Sequence, residues 1–264
     1  MAARVTVIIP CYNAADTIGR ALASVQAQTL TDWQAIVIDD ASTDDSVARL
    51  APIMAAEPRI RLIRLAQNGG AGRARNAGLA QAEGRWVAFL DADDAWHPEK
   101  LALQTRFMAD EGLALSATAY RRVNAATGSV VAFGLPRRIR YRELLKTNVM
   151  GFSTVIYDRD RLGTRLMPEL RQRQDFAFLL TLLRELPHAG GLNRVLCTYA
   201  LGHRSLSSDK GDAARQTWRL YRDHLGLGPV AAAWYFGQYA ARALLRHKTP
   251  TLARALGLLR APDA

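Results

Sequence analysis

Residues 5–40 have the sequence VTVIIPCYNAADTIGRALASVQAQTLTDWQAIVIDD, in which two short apolar runs enclose one amphipathic segment. The runs at 5–10 and 34–40 are continuous and rich in β-branched residues, which is typical of strands buried on both faces. The segment 16–28 carries apolar residues at helical spacing and begins with Asp16, a favoured N-cap type. A strand, a helix and a strand joined by short loops predict a parallel sheet covered by helices.

The same alternation continues along the chain. It predicts a helix at 42–50, capped by Ser42 or Thr43, and a strand at 59–65. Residues 69–84 follow as a glycine-rich turn and a helix of small residues that can pack close to the sheet. A strand at 85–91 and a helix after Pro98 complete this part of the pattern. Further strands are predicted at 114–124, 128–134, 152–158 and 190–202, with a buried helix at 175–187. The fold class predicted from this pattern is α/β, with a parallel sheet flanked by helices.

The character of the chain changes at about residue 212, after which the segments are helical and rich in Ala, Leu, Trp, Tyr and Arg. We therefore expect one domain at 1–211 and a C-terminal helical extension at 212–264. Residues 228–247 are strongly apolar, but Gln238 and Arg242 interrupt them, so they fall short of the roughly 20 apolar residues that span a bilayer. This helix is expected to lie on a membrane surface, or to pack on the domain or on a second subunit.

The composition narrows the class of partner. The 264 residues include 35 Lys+Arg and 24 Asp+Glu, which gives a formal net charge of +11. This excess suggests nucleic acid, an anionic membrane face or a phosphorylated substrate as the partner, and it fits a solvated basic surface equally well.

Cys11 and Cys197 are the only cysteines, which argues against a disulfide framework and a zinc site. The first residues lack the features of a signal peptide, so we expect a cytoplasmic protein.

Candidate site residues, most of them polar, follow several of the predicted strands. They are Pro10, Cys11, Tyr12 and Asn13 after the first strand, Asp39 and Asp40 after the second, the glycine turn after the third, and Asp91, Asp93 and Asp94 after the fourth. Ligands of parallel α/β sheets bind at the carboxyl ends of the strands. Several polar groups at this edge therefore favour a binding site over isolated caps and loop residues.

The chemistry of this site is narrowed by elimination. No G-x-G-x-x-G follows the first strand, and the chain contains neither a G-x-x-x-x-G-K-[ST] phosphate loop nor a G-x-S-x-G nucleophile elbow. The D-x-D of Asp91 and Asp93 is a pair of hard oxygen ligands, which suits Mn²⁺ or Mg²⁺ bound together with phosphate oxygens. A nucleotide-diphosphate substrate fits this requirement.

Three segments together resemble family 2 glycosyltransferases, which are inverting enzymes of the GT-A fold. They are VTVIIPCYNAADTIGRALASVQAQTLTDWQAIVIDDASTDDS at 5–46, NGGAGRARNAGLAQAEGRWVAFLDADDAWHPEKL at 68–101, and RQRQDFAFLLTLL at 171–183. Each segment alone is a weak signal, whereas their order and spacing are specific. The segment HRSLSSDK at 203–210 resembles one found in bacterial polysaccharide-forming members. The resemblance implies a Rossmann-like, mixed and mainly parallel sheet, with a nucleotide-binding half at about 1–98 and an acceptor-binding half at about 99–211.

The resemblance also implies roles for residues of the nucleotide half. Pro10 and Tyr12 would frame the nucleotide base and Asp40 would hydrogen-bond it as uracil, while Asp39 is open to a capping or loop-ordering role. A turn at 72–76 would close over the nucleoside, and its nucleotide-binding residues are Gly72, Arg75 and Asn76. Asp91 would contact the nucleotide and share Mn²⁺ or Mg²⁺ with Asp93, the better candidate for direct ligation. Asp94 would support the pair or cap the helix near Pro98.

The catalytic base is expected at Asp175. Inversion requires a carboxylate that removes the proton of the acceptor hydroxyl. The family usually has Glu-Asp at the start of a helix, whereas here Gln174 precedes Asp175, which alternatively only caps that helix. His203 and Arg204 are candidates for assisting the diphosphate leaving group, and a plain surface position is the alternative.

The sequence thus predicts a metal-dependent inverting glycosyltransferase that moves a sugar from a UDP-sugar to a saccharide or lipid-linked acceptor in cell-surface polysaccharide synthesis. The expected place of action is the inner face of the cytoplasmic membrane, with no nucleic-acid partner and with dimerisation through the C-terminal helices as an option. The alternatives are a sugar nucleotidyltransferase, a non-catalytic transferase-like subunit and a basic nucleic-acid-binding protein.

Overall fold

The apolar runs of the sequence form the centre of a ten-stranded sheet in the computed structural model, which describes residues 4–124, 126–170, 172–201, 210–248 and 260–263. The strands are β1 (Val5–Cys11), β2 (Trp33–Asp39), β3 (Ile60–Arg64), β4 (Trp86–Phe89), β5 (Ala95–Trp96), β6 (Leu115–Asn124), β7 (Val130–Phe133), β8 (Arg138–Ile139), β9 (Ile156–Asp158) and β10 (Ala189–Leu201). The helices are α1 (Ile18–Gln26), α2 (Ser46–Ala56), α3 (Gly70–Leu79), α4 (Lys100–Asp110), α5 (Tyr141–Leu144), α6 (Arg159–Leu162), α7 (Gln174–Glu185), α8 (Lys210–Arg219) and α9 (Pro229–Lys248).

The sheet has the strand order β3-β2-β1-β4-β9-β6-β10-β5, with β7 beside β6 and β8 beside β10. The ladders among β1, β2, β3 and β4 and the long ladder of β6 with β10 are parallel, whereas β9 runs antiparallel between β4 and β6. The mixed, mainly parallel sheet that the resemblance implies is therefore confirmed.

Two apolar cores lie on opposite faces of this sheet because successive side chains of a strand point to opposite sides. Val7 and Ile9 of β1 belong to the core beneath α1 and α4, whereas Ile8 belongs to the core beneath α3 and α7. Leu220 and Ala232, from the C-terminal helical region, are also buried in this second core. The C-terminal helices therefore pack on the same face as α3 and α7.

Two helix starts differ from the sequence prediction. Helix α1 has Thr17 rather than Asp16 as its N-cap, because the N–H groups of Thr17 and Ile18 already bond to the carbonyl of Ala14. Helix α2 begins at Ser46 and has Asp45 as its N-cap, instead of the predicted Ser42 or Thr43. Ser42 and Thr43 lie outside it because they bond to Asn13 in the loop after β1.

Candidate active site

The carboxyl ends of β1, β2 and β4 meet at one edge of the sheet, as the strand pattern predicts. Strand β1 pairs in parallel with β2 on one side and with β4 on the other. The polar residues that follow these three strands are therefore neighbours in space, although about 80 residues separate the first strand end from the last in the sequence.

The loop after β1 is held by the loop after β2. The N–H of Asn13 donates to Oγ of Ser42 over 3.0 Å, and Oδ1 of Asn13 accepts the N–H of Thr43 at 2.8 Å. The side chain of Tyr12 is 50% exposed beside the partly buried Pro10. The role of Pro10 and Tyr12 as a frame for a nucleotide base stays a prediction.

The two buried carboxylates at the end of β2, Asp39 and Asp40, order the neighbouring loops. Asp40 accepts the N–H of Gly69 at 2.8 Å on one oxygen and the N–H of Gly70 at 2.7 Å on the other. Gly70 has a φ of 83°, a conformation that favours glycine. Asp39 accepts the N–H of Ser42 at 3.2 Å. Each oxygen of Asp40 retains a lone pair that can accept a hydrogen bond from a base, and that role stays a prediction.

The residues predicted to form a turn over the nucleoside lie in helix α3. The helix begins at Gly70 because Asp40 binds the N–H groups at its start, so Arg75 and Asn76 are helical. Asn76 binds the main chain of Met167 in both directions: its Nδ2 donates to the carbonyl over 3.0 Å and its Oδ1 accepts the N–H at 2.7 Å. Asn76 thus fixes a distant loop, and its predicted contact with a nucleotide remains untested.

Arg75 connects helix α3 to the D-x-D. It is only 5% exposed, and its Nη2 donates to Oδ1 of Asp91. Its guanidinium lies 4.8 Å from the ring centroid of Phe152, and its Nε has no hydrogen-bond partner among the described residues. A buried, planar cation therefore sets the orientation of the first D-x-D carboxylate.

Ser153 forms hydrogen bonds to both ends of the acidic segment, which is defined as residues 91–94. The N–H of Asp91 donates to Oγ of Ser153 over 3.1 Å, and the same hydroxyl donates to Oδ2 of Asp94 over 2.5 Å. Burial, together with the negative charges of Asp91 and Asp93, raises the pKa of Asp94 to about 8. The main-chain carbonyl of Asp93 accepts a hydrogen bond from Nη2 of Arg20 at 2.6 Å.

This edge suits a cation that arrives with its own oxygen ligands. Three carboxylates, Asp91, Asp93 and the buried Asp94, lie close together in the sequence, and Arg75 forms an ion pair with one of them, Asp91. Within the described ranges, no three His, Cys, Asp or Glu side chains are grouped closely enough to hold an ion by themselves. A divalent cation bound by one or two carboxylates and by diphosphate oxygens is compatible with both facts.

The predicted base lies at the start of α7, which touches α3. Asp175 is in the first turn of α7, partly exposed, and no described residue donates a hydrogen bond to its carboxylate. A Cβ built on Gly72 would lie 3.0 Å from Cγ of Gln174, so the two helices are in close contact there. Oε1 of Gln174 is buried and has no hydrogen-bond partner among the described residues. Helix α3 therefore contacts both the D-x-D, through Arg75, and the segment that carries Asp175.

Sequence reasoning missed Ser153, Arg20 and Lys100. Ser153 lies 59 residues after Asp94 in a short 3₁₀ helix at 152–154, and no local pattern connects the two. Arg20 and Lys100 occupy helical positions that are ordinary for basic residues. The contact of Arg20 with Asp93 arises only from the tertiary fold, and so does the burial of Lys100. His203 and Arg204 lie outside the described residues.

The sequence of the chain was compared with protein-family models and with known proteins. The sequence model of Glycosyl transferase family 2 matches residues 6–161. A protein of Bacillus subtilis named putative teichuronic acid biosynthesis glycosyltransferase TuaG is 39% identical over 241 residues, covering 91% of this chain and 96% of that protein. The Escherichia coli protein WfgD, named UDP-Glc:alpha-D-GlcNAc-diphosphoundecaprenol beta-1,3-glucosyltransferase, is 32% identical over 92% of this chain and 94% of its own length.

Solved structures of low sequence identity share the fold. S. aureus TarS in complex with UDP-GlcNAc superimposes with a TM-score of 0.70 at 21% identity, covering 96% of this chain and 75% of that chain. The mannosyltransferase PcManGT from Pyrobaculum calidifontis, in complex with GDP-Man and Mn²⁺, gives a TM-score of 0.67 at 20% identity, with coverage of 98% and 81%. These likenesses confirm the GT-A fold. The family match and the two bacterial relatives show more, because they cover most of the chain: it is a glycosyltransferase that belongs to family 2.

Proposed function

We propose that this enzyme transfers a sugar from a UDP-sugar to a hydroxyl of a lipid-linked saccharide during the synthesis of a cell-surface polysaccharide, with inversion at the anomeric carbon. The relatives named above support the donor and acceptor classes, since one is named for UDP-Glc and a diphosphoundecaprenol acceptor and another for teichuronic acid synthesis. Membership of this family favours the transferase over the nucleotidyltransferase, the non-catalytic subunit and the nucleic-acid-binding alternatives.

One observation carries the proposal at the level of the site. Helix α3 pairs Arg75 with Asp91 at the D-x-D and packs Gly72 against Gln174, the residue before Asp175. The expected donor side and the expected base side are thereby held by one rigid element at one edge of the sheet. Such an arrangement suits a displacement in which the nucleophile and the leaving group act on opposite sides of one carbon.

The proposed reaction is a single displacement. The carboxylate of Asp175 accepts the proton of the acceptor hydroxyl as its oxygen forms a bond to the anomeric carbon, and the bond from that carbon to the diphosphate oxygen breaks. UDP leaves with the electron pair of the broken bond. Around the nucleotide, Pro10, Tyr12 and Asp40 would hold the base.

The diphosphate requires compensation of its negative charge. Asp91 and Asp93 would hold Mn²⁺ or Mg²⁺ together with diphosphate oxygens, and the cation would supply electrostatic stabilisation of the leaving group. The PcManGT complex with Mn²⁺ supports a divalent metal for this fold. The grouping of Asp91, Asp93 and Asp94 directly after β4 supports this position for the cation.

A lipid-linked acceptor implies where in the cell the enzyme acts. A lipid-linked acceptor brings the enzyme to the inner face of the cytoplasmic membrane, and the net charge of +11 favours an anionic surface. No helix among the described residues is long and apolar enough to cross a bilayer. Helix α9 exposes Val230 (84%), Trp234 (61%) and Leu244 (56%), and Arg242 is the single charged residue between Pro229 and Leu245. We propose that this face of α9 rests on the membrane surface.

The test of the proposed function combines donor binding with one substitution. We expect UDP-glucose or UDP-GlcNAc, but not GDP-mannose, to raise the melting temperature, and to do so only with Mn²⁺ or Mg²⁺ present. Asp175→Asn should retain this shift and lose transfer to a GlcNAc-diphospholipid acceptor by at least about 100-fold, as expected for loss of a general base. Asp110→Asn, which removes an exposed carboxylate on α4, is the matched control and should transfer normally. Stabilisation by GDP-mannose alone would overturn the UDP donor, and normal transfer by Asp175→Asn would overturn the base.

A further inference from the structure

The two residues before Gln174 and Asp175 are held by the C-terminal helices. Nε2 of Gln172 donates to Oδ2 of Asp212 in α8 over 2.8 Å. Nη1 of Arg173 donates to the hydroxyl of Tyr239 in α9 over 3.3 Å, and both groups are partly buried. These contacts join segments that are 40 and 66 residues apart in sequence.

Tyr239 also touches α7 itself. Its ring centroid lies 5.8 Å from that of Phe176, the residue after Asp175, at an interplanar angle of 34°. The guanidinium of Arg173 lies 5.8 Å from the same ring. One tyrosine side chain of α9 therefore contacts the residues on both sides of the pair Gln174 and Asp175.

The backbone at Arg173 needs such support. Arg173 is the N-cap of α7 and has φ 63° and ψ 13°, a left-handed conformation that is unfavourable for a residue with a Cβ. Its carbonyl accepts the N–H of Ala177 at 2.8 Å and so begins the helix. The direction in which α7 presents Asp175 depends on this conformation, and the side chain of Arg173 is bonded to α9.

We propose that Tyr239 and Asp212 are positioning residues for Asp175, so that the C-terminal helices set the geometry of the catalytic base. The inference rests on the proposed function, because it takes Asp175 as the base. It gives a catalytic task to helices that lie beyond the residues matched by the family model, 6–161. These helices would act on the transfer step through Gln172 and Arg173, without touching the donor.

The first experiment uses the full chain with UDP-GlcNAc or UDP-glucose, Mn²⁺ and a GlcNAc-diphospholipid acceptor. Tyr239→Phe removes the hydroxyl and keeps the ring on Phe176. We expect kcat to fall about tenfold, the size of one lost orienting hydrogen bond, with the KM for the donor and the melting temperature unchanged. Tyr235→Phe, one turn earlier on α9, is the matched control and should keep wild-type kinetics. A Tyr239→Phe enzyme with wild-type kcat would overturn the inference.

A second set of variants separates positioning from folding. Arg173→Gly suits the left-handed backbone and removes the bond to Tyr239, so the melting temperature should not fall while kcat does. Arg173→Lys retains a donor and should recover most of the lost kcat. An Arg173→Gly protein with normal kcat would show that the contact is dispensable.

A double-mutant cycle with Asp175→Asn distinguishes this inference from the proposed function. If Tyr239 acts through Asp175, adding Tyr239→Phe to Asp175→Asn should cause no further loss of the residual rate. A further tenfold loss would mean that Tyr239 acts elsewhere and would overturn the inference alone. Full activity of Asp175→Asn by itself would overturn the base assignment and, with it, the positioning inference, whereas the proposed transfer from a UDP-sugar would stand.

Discussion

At the scale of single residues, the hydroxyl of Ser153 makes two hydrogen bonds to the acidic segment. It accepts the N–H of Asp91 and donates to the buried carboxylate of Asp94. Ser153→Ala should lower the free energy of unfolding by about 1–3 kcal/mol, because it leaves a buried acceptor without its donor. Urea unfolding measures this loss, and donor binding with Mn²⁺ should weaken in the same variant. Ser129→Ala, on an exposed hairpin, should change neither quantity, and an equal effect at both serines would contradict the prediction.

Lys100 gives a pH-dependent prediction. It is fully buried, its Nζ donates to Oε1 of Gln104 over 2.9 Å and lies 4.1 Å from the ring centroid of Trp96. Burial lowers the pKa of Lys100 to about 7. Between pH 7 and about 10.4, the ordinary lysine pKa, the unfolded chain therefore binds more protons at this residue than the folded chain, so its contribution to stability rises with pH.

Lys100→Met isolates that contribution because it removes the titrating group and nearly keeps the side-chain volume. We expect the free energy of unfolding of the wild type, minus that of Lys100→Met, to increase from pH 7 to pH 9.5. Urea unfolding of both proteins at the two pH values gives the difference, in which the other titrating groups cancel. A difference that stays constant, or that shrinks as the pH rises, would contradict the low pKa of the buried amine.

The candidate site could be predicted from the sequence only in part. Asp91 and Asp93 were identified from a local pattern, carboxylates after a buried strand, whereas the base role of Asp175 came from the resemblance to family 2 glycosyltransferases and stays a prediction. Ser153 was missed because its partner Asp94 is distant in sequence. Lys100 was missed because only the fold shows that it is buried, although its partners Trp96 and Gln104 are near in sequence. Local patterns therefore predict the residues at the sheet edge and leave out the residues that orient them.

At the scale of elements, the close packing of α3 on the sheet is a prediction that the structure confirms. A Cβ on Gly78 would lie 2.7 Å from Cδ1 of Ile38 and 3.0 Å from Cγ2 of Ile8. Gly78→Ala should lower the free energy of unfolding by about 1–3 kcal/mol through overpacking, despite the better helix propensity of alanine. Gly19→Ala in α1 is the matched control, since no atom lies within 4 Å of its new Cβ, and it should stabilise the protein. Chemical denaturation of both variants should therefore give effects of opposite sign.

The strands were predicted better than the helix starts for a physical reason. A buried strand is specified by its own apolar run, so β1 and β2 lie within a residue of their predicted bounds. The start of α2 depends on whether Ser42 and Thr43 bind their own helix or the loop after β1, which only the fold decides. Strand β5 at Ala95–Trp96 exists through its pairing with β10 and has no pattern of its own.

At the scale of the whole molecule, the two functional halves come from different parts of the chain. Strands β1 to β4 bring the expected donor residues together, whereas the expected base comes from α7, about 80 residues after the D-x-D. Helix α3 connects the halves on one side and the C-terminal helices support α7 on the other. The domain boundary near residue 211 stays a prediction, and the burial of Leu220 and Ala232 in the main core indicates that the extension packs closely on the domain.

The exposed face of α9 predicts how the whole molecule meets a membrane. Trp234, 61% exposed, is the largest side chain on this face, and its transfer into the lipid interface should be worth about 1.5–3 kcal/mol, or about 10- to 150-fold in partitioning. We expect the protein to sediment with vesicles of phosphatidylglycerol more than with vesicles of phosphatidylcholine, and high salt to weaken the binding because the chain is basic. Trp234→Ser should weaken partitioning onto the vesicles by at least about tenfold. Leu166→Ser, which removes another exposed apolar side chain outside α9, should leave it unchanged. Equal binding of the wild type and Trp234→Ser to the anionic vesicles would mean that α9 faces another partner, and a dimer that Trp234→Ser dissociates in sedimentation equilibrium would identify that partner as a second copy of the chain.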